Sequence, residues 1–164
     1  LSRMSVFCIE IGLIVARRRV HSAWTDHVWL VRAALPAVPV TPVGTVVFEN
    51  DQESCHFAGS ARLMLHPALT AHYCDNLMAL QPSVWVQLRT DGDSCRVCAA
   101  TVDPYEGEAM GDGFATLVEA VAMPFEIQRQ LQAFIATFHV ERPFVKRQRR
   151  SSVVQVRAAE GGAA

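Results

Sequence analysis

Ile127, Leu131, Phe134, Ile135 and Phe138 recur at helical spacing and make one apolar stripe, which Pro124 introduces. A helix carrying such a stripe runs about four turns and is stable in water only if that face is covered by another part of the fold. The chain must therefore supply a matching apolar surface upstream. It does so mostly as strands. Phe7, Ile9, Ile11, Leu13 and Val15 alternate with smaller or polar residues, the period of a half-buried strand, until Arg17 to His21 end the pattern.

A second strand is predicted from Val28 to Leu35, stopped by Pro36, and the link through Pro39 and Pro42 cannot pair in a central strand. Thr45 to Phe48 and His56 to Ala58 flank the polar cluster Glu49 to Ser54 as a hairpin with a loop longer than two residues, and Ala61 to Leu65 reads as a further strand. Pro67 opens a helix, since proline at the first helical position loses no intrahelical bond. Its predicted buried stripe is Leu69, Tyr73, Leu77 and Leu80, with Pro82 marking the end. Val84, Val86 and Leu88 then point inward from a strand whose other face carries Trp85, Gln87 and Arg89. Asp91-Gly92 supplies a tight turn into an antiparallel return over Arg96 to Val102. Asp103-Pro104-Tyr105 breaks the pairing, a glycine-bearing loop follows through Gly107, Gly111 and Gly113, and the last strand lies near Thr116 to Met123.

This pattern is α+β: a mostly antiparallel, strongly bent sheet or partial barrel of about seven strands with two helices, the longer one C-terminal. Residues 4–145 are expected to form a single domain, since 164 residues suffice for one core and are too few for two ordinary ones. Residues 146–164 read as a basic, then Ala/Gly-rich, flexible tail.

Apolar residues make up 51% of the chain and charged ones 19%, which excludes disorder for most of its length. The net charge of −1 argues against a globally basic nucleic-acid binder. The charges are unevenly placed, however. Asp91, Asp93, Asp103, Glu106, Glu108, Asp112 and Glu119 face a single arginine in their stretch, whereas Arg142 to Arg150 holds five basic residues and no acid. The apolar stretch Val6 to Ala16 is about half as long as a membrane span and contains Glu10. With a short lead-in and no small-residue cleavage site after the apolar run, no signal peptide is expected, and the protein is placed in the cytoplasm. Cys8, Cys55, Cys74, Cys95 and Cys98 are then expected as free thiols.

Several constellations could carry chemistry. Cys95-x-x-Cys98 supplies two of the four ligands zinc needs, and a strand points residues three apart to opposite faces, so this pair is a weak metal candidate. A redox pair needs its first cysteine at a helix N-terminus, and strand residues follow here instead. The histidines are dispersed, with His66, His72 and His139 near helices and His21, His27 and His56 near strand ends. No G-x-S-x-G elbow occurs, and Gly107, Gly111 and Gly113 lack the Gly-Lys-Ser/Thr ending of a phosphate loop. Asp103, Glu106 and Glu108 lack the spacing of a calcium hand and read as a solvated acidic loop. Trp24, Trp29 and Trp85 are assigned to core or edge packing.

Trp24 with Trp29, Tyr73-x-x-Asn76-Leu77, Val84-Trp85-Val86-x-Leu88-Arg89, Pro104-Tyr105-Glu106, Met123-Pro124 and Phe144-x-Lys146-Arg147-x-Arg149 resemble, in this order, an uncharacterised proteobacterial family. It is a domain of unknown function encoded near molybdenum-dependent formate dehydrogenase genes, and the resemblance covers roughly Met4 to Arg150. It transfers no catalytic residue and no cofactor. It implies a non-enzymatic accessory or binding protein, assisting maturation or assembly of the molybdoenzyme through a protein partner such as a formate dehydrogenase subunit or maturation factor. The interaction residues expected are Trp85 on an open sheet face and Lys146, Arg147, Arg149 and Arg150 in the tail. The alternative is a small metal- or cofactor-handling protein or enzyme with a pocket between sheet and long helix.

Overall fold

The computed structural model describes residues 7–111, 113 and 116–139. Among these residues the chain forms seven antiparallel strands in two sheets and three α-helices, of which the last is the longest. The first strand, β1 (Phe7–Arg19), lies between β2 (His27–Leu35) and β4 (Glu53–Leu65), with β3 (Val46–Glu49) outside β4. Ile9, Ile11, Leu13 and Val15 are buried, so the alternation predicted for this strand is the one that faces the core.

The two short strands expected around residues 56–65 are one strand. β4 pairs with β1 from Phe7 opposite Leu65 to Arg18 opposite Glu53, and the register slips where Leu13 faces Gly59 and Ile14 faces Phe57. Gly59 takes a φ of +110° there. The bulge inserts an unpaired residue without ending the strand, which breaks the period that a sequence pattern relies on. The hairpin before it has the expected loop of more than two residues, Asn50 to Gln52. Asn50 Oδ1 accepts from the Gln52 and Glu53 amides at 2.8 Å each, closing the β3–β4 connection.

A single 3₁₀ turn (Pro67–Leu69) leads into α1 (Thr70–Met78). Its buried face is Thr70, Tyr73 and Asn76. Leu69 and Leu77 are only partly covered, and Leu80, predicted in the stripe, lies past the helix end and is fully exposed. Asn76, 1% exposed, replaces it as the anchor. Its Nδ2 donates to the Ser83 and Val102 carbonyls at 2.8 Å each, and its Oδ1 accepts from the Ser83 amide at 2.9 Å. One side chain thus ties α1 to the start of the next strand and the end of the one after.

The second sheet has β5 (Ser83–Asp91) between β6 (Ser94–Thr101) and β7 (Thr116–Ala122). Val84, Val86 and Leu88 are fully buried, and Gly92, φ +55°, makes the tight turn to β6. The expected glycine loop after Asp103 begins instead as a helix, α2 (Pro104–Ala109). Asp103 caps it by accepting the Tyr105 amide at 2.9 Å, with Pro104 in the first turn. Of the acids expected to be solvated, Glu106 and Glu108 are exposed on this helix, Glu106 also accepting from the Thr101 hydroxyl at 3.0 Å, whereas Asp103 is buried.

The long helix α3 (Phe125–Phe138) buries Ile127, Leu131 and Phe134, with Ile135 and Phe138 packed beside them. Both sheets, α1 and α3 contribute to one apolar cluster. The strands are divided between two sheets that are not closed into a barrel. At the edge of the first sheet the Val31 amide donates to Glu119 Oε2 of β7 at 2.6 Å, so a side chain takes the place of a ladder carbonyl and the seam stays open. No helix among the described residues is long and apolar enough to cross a membrane.

Candidate functional site

The sheet edge formed by β3 carries a cluster of exposed apolar residues. Val43, Val46, Val47 and Phe48 are 70%, 51%, 52% and 53% exposed. The segment is held from one side only. Gly44 donates to the Phe57 carbonyl at 2.8 Å, the Phe57 amide donates to Thr45 at 2.9 Å, and Val46 and Phe48 pair with His56 and Cys55 of β4. As the last strand of its sheet, β3 has no ladder on its other side. A slip in register between Val46 and Phe48 leaves apolar side chains open on both faces. The proline link explains the placement, because Pro36, Pro39 and Pro42 cannot donate to a ladder, and the chain first bonds to β4 at Gly44. A run of three apolar residues directly after such a link was the available sequence signal, and periodicity alone did not expose it.

At the end of the first sheet a cleft of about 630 Å³ is lined by Arg17, His27, Trp29, Glu53 and His56, among others. Arg17 binds Asp93 at 2.9 Å and lies 5.8 Å from the Trp29 ring centroid. The ring nitrogens of His27 sit 2.6 Å from Asp26 Oδ1 and 3.0 Å from the Gly92 carbonyl oxygen. Arg32, with Arg18 beside it, holds the Glu53 carboxyl below its ordinary range, and the bond to His27 does the same for Asp26. Burial pushes His56 down. The charges here satisfy one another, and the cleft works as a clasp that fastens the β5–β6 turn to the first sheet.

A third constellation lies between α1 and α2. His72 Nδ1 is 3.0 Å from the buried Asp103 Oδ2, the Tyr105 ring packs 4.5 Å from the imidazole, and the Tyr105 hydroxyl donates to Asp75 at 2.9 Å. A buried carboxylate orienting a half-exposed histidine is the start of an acid-base device. Among the described residues no serine, threonine or cysteine is hydrogen-bonded to His72, so the geometry supplies no activated nucleophile.

The residues singled out in the sequence are not brought together. Cys95 is half-buried against the core and its thiol is pushed up to about 11 by that burial, whereas Cys98 is exposed three residues on. Among the described residues no group of three or more His, Cys, Asp or Glu side chains is placed to hold a metal ion. Trp85 does not stand on an open face. α2 lies across it, so close that a Cβ at Gly107 would come within 2.3 Å of the indole Cγ, and Gln87 Nε2 donates to the Met110 carbonyl at 3.0 Å. Trp24, assigned to packing, is 95% exposed. Lys146, Arg147, Arg149 and Arg150 lie outside the described residues.

A family model described as "Protein of unknown function (DUF3305)" matches residues 10–148. No curated protein and no solved structure matches the chain.

Proposed function

We propose that this chain, which belongs to the DUF3305 family of proteins of unknown function, is a non-enzymatic binding module that receives an extended segment of a partner protein along β3. The observation that carries the reading is the one-sided pairing of an apolar edge strand, with Val46, Val47 and Phe48 half-exposed. Such an edge offers backbone hydrogen bonds for affinity and alternate side-chain contacts for selectivity. The tail residues Lys146, Arg147, Arg149 and Arg150 add attraction to an acidic flank of that partner. The resemblance to a family encoded beside formate dehydrogenase genes supports a subunit or maturation factor of that molybdoenzyme as the partner.

Replacing Val47 and Phe48 with Lys tests the reading. As exposed positions they should move stability by no more than about 0.5 kcal/mol, while capture of formate dehydrogenase subunits from the native host is lost. Unchanged capture by the double variant defeats the β3 reading. The rival, a cofactor-handling pocket between sheet and long helix, is favoured by a groove of about 610 Å³ between β1 and α3. Its walls are largely aromatic and aliphatic, and among the described residues Cys8 is the one titratable side chain lining it, which suits an apolar occupant better than a reaction.

A further inference from the structure

We infer that the strand received along β3 carries a lysine or arginine beside Glu49, on the face that opens into the cleft at the end of the first sheet. This rests on the reading of β3 as a docking edge and adds the chemistry of the segment that edge takes. Residues directly opposite one another in neighbouring strands point to the same face. The register therefore sets Trp29, Arg17, Ser54 and Glu49 in one row across β2, β1, β4 and β3. All four line the cleft of about 630 Å³. Phe48, opposite Cys55, points to the other face.

The row ends in water at Glu49, which is exposed at the end of β3. The other carboxylates lining the cleft are already matched. Asp26 lies 2.6 Å from the His27 ring, and Glu53 is held by Arg18 and Arg32. Among the described residues Glu49 makes no ion pair. Arg17 and Arg19 line the same cleft from β1, two strand spacings or about 10 Å from β3. Arg17 is moreover bound to Asp93 at 2.9 Å.

A strand added to β3 continues this row. Its residue beside Glu49 stands about 5 Å away on the cleft face, nearer than either arginine's strand. An acidic residue in that place sets like charges side by side, and an apolar one strips water from the carboxylate without giving it a partner. A basic residue pairs with it. On the opposite face the same strand meets Phe48, 53% exposed, which calls for an apolar neighbour. The segment so defined alternates, basic toward the cleft and apolar toward Phe48.

Three fluorescein-labelled peptides test this: Thr-Val-Lys-Val-Thr-Val and the same sequence with Glu or Gln in place of Lys, each titrated with full-length protein and followed by fluorescence anisotropy. The Lys peptide should bind about threefold more tightly than the Gln peptide, and the Glu peptide more weakly than both. High salt should narrow the differences. Glu49→Lys should invert the order and Glu49→Gln should abolish it, with the Tm of both variants unchanged. Equal affinity of the three peptides for the unaltered protein overturns the inference and leaves the β3 reading standing. So does an order that Asp51→Lys inverts and Glu49→Lys does not, since Asp51 lies in the exposed loop past the paired residues. Binding of all three peptides that survives replacement of both Val47 and Phe48 with Lys, or no binding of any of them, defeats the β3 reading and the inference with it.

Discussion

The backbone of Gly107 rests on the indole of Trp85: a Cβ built at position 107 would lie 2.3 Å from Cγ and 2.6 Å from Cδ2 of that ring. The contact seats α2 on the outer face of β5 and turns what would be an open aromatic strand into a covered one.

Gly107→Ala should accordingly destabilise the protein, although alanine is the better helix former. The propensity gain is about 1 kcal/mol at most. Against it stands a clash with the rigid root of a ring, where overpacking typically costs about 1–3 kcal/mol and the ring cannot rotate away. Thermal melts should show a lower Tm for Gly107→Ala. Combining it with Trp85→Leu should remove most of the additional loss, and equal losses in both backgrounds would show that the indole is not what excludes the side chain.

Asn76 offers a second test, because a single buried amide serves three backbone groups, two on Ser83 at the start of β5 and one on Val102 just past β6. Asn76→Ala leaves them without partners and should cost about 3 kcal/mol, since each buried unpaired group is penalised by about 1–3 kcal/mol. Asn76→Asp should be worse at neutral pH than in acid. A carboxylate can still accept from Ser83 but faces two carbonyl oxygens that need donors, and protonation restores one. Chemical denaturation at two pH values measures the difference, and a pH-independent loss would count against it.

His56 provides the pH dependence. Burial lowers its pKa from the ordinary 6.5, so the unfolded chain takes up a proton at a higher pH than the folded one. Stability from this group is fully present above 6.5 and is lost as pH falls below that value toward the folded pKa. Glu53 works in the same direction further into acid, its carboxyl held low chiefly by Arg32. His56→Gln should therefore flatten the stability profile just below pH 6.5 and leave the more acidic limb in place. Denaturant midpoints measured across that range decide it.

Several elements were legible because their chemistry is local. The alternation of β1 and β5, the Asp-Gly turn and the 3.6-residue stripe of α3 are set by residues close in sequence, and each lies where the pattern puts it. α2 was missed although Asp103-Pro104-x-Glu106 carries a helix-start signal. Gly107 read as loop because the reason for a glycine there, the indole of Trp85, lies across the fold.

Local periodicity, in short, determined which residues of β1, β5 and α3 turn inward and that the fold would be antiparallel α+β. Only the tertiary structure decided which strand was left at an edge, which tryptophan was covered and that Glu119 would hold the seam between two sheets. Those outcomes depend on pairings between residues as distant as Val31 and Glu119. A side chain's neighbours across the core leave no periodic trace along the chain, so the exposure of β3 and the covering of the outer face of β5 were settled only by the packing of the sheets and α2.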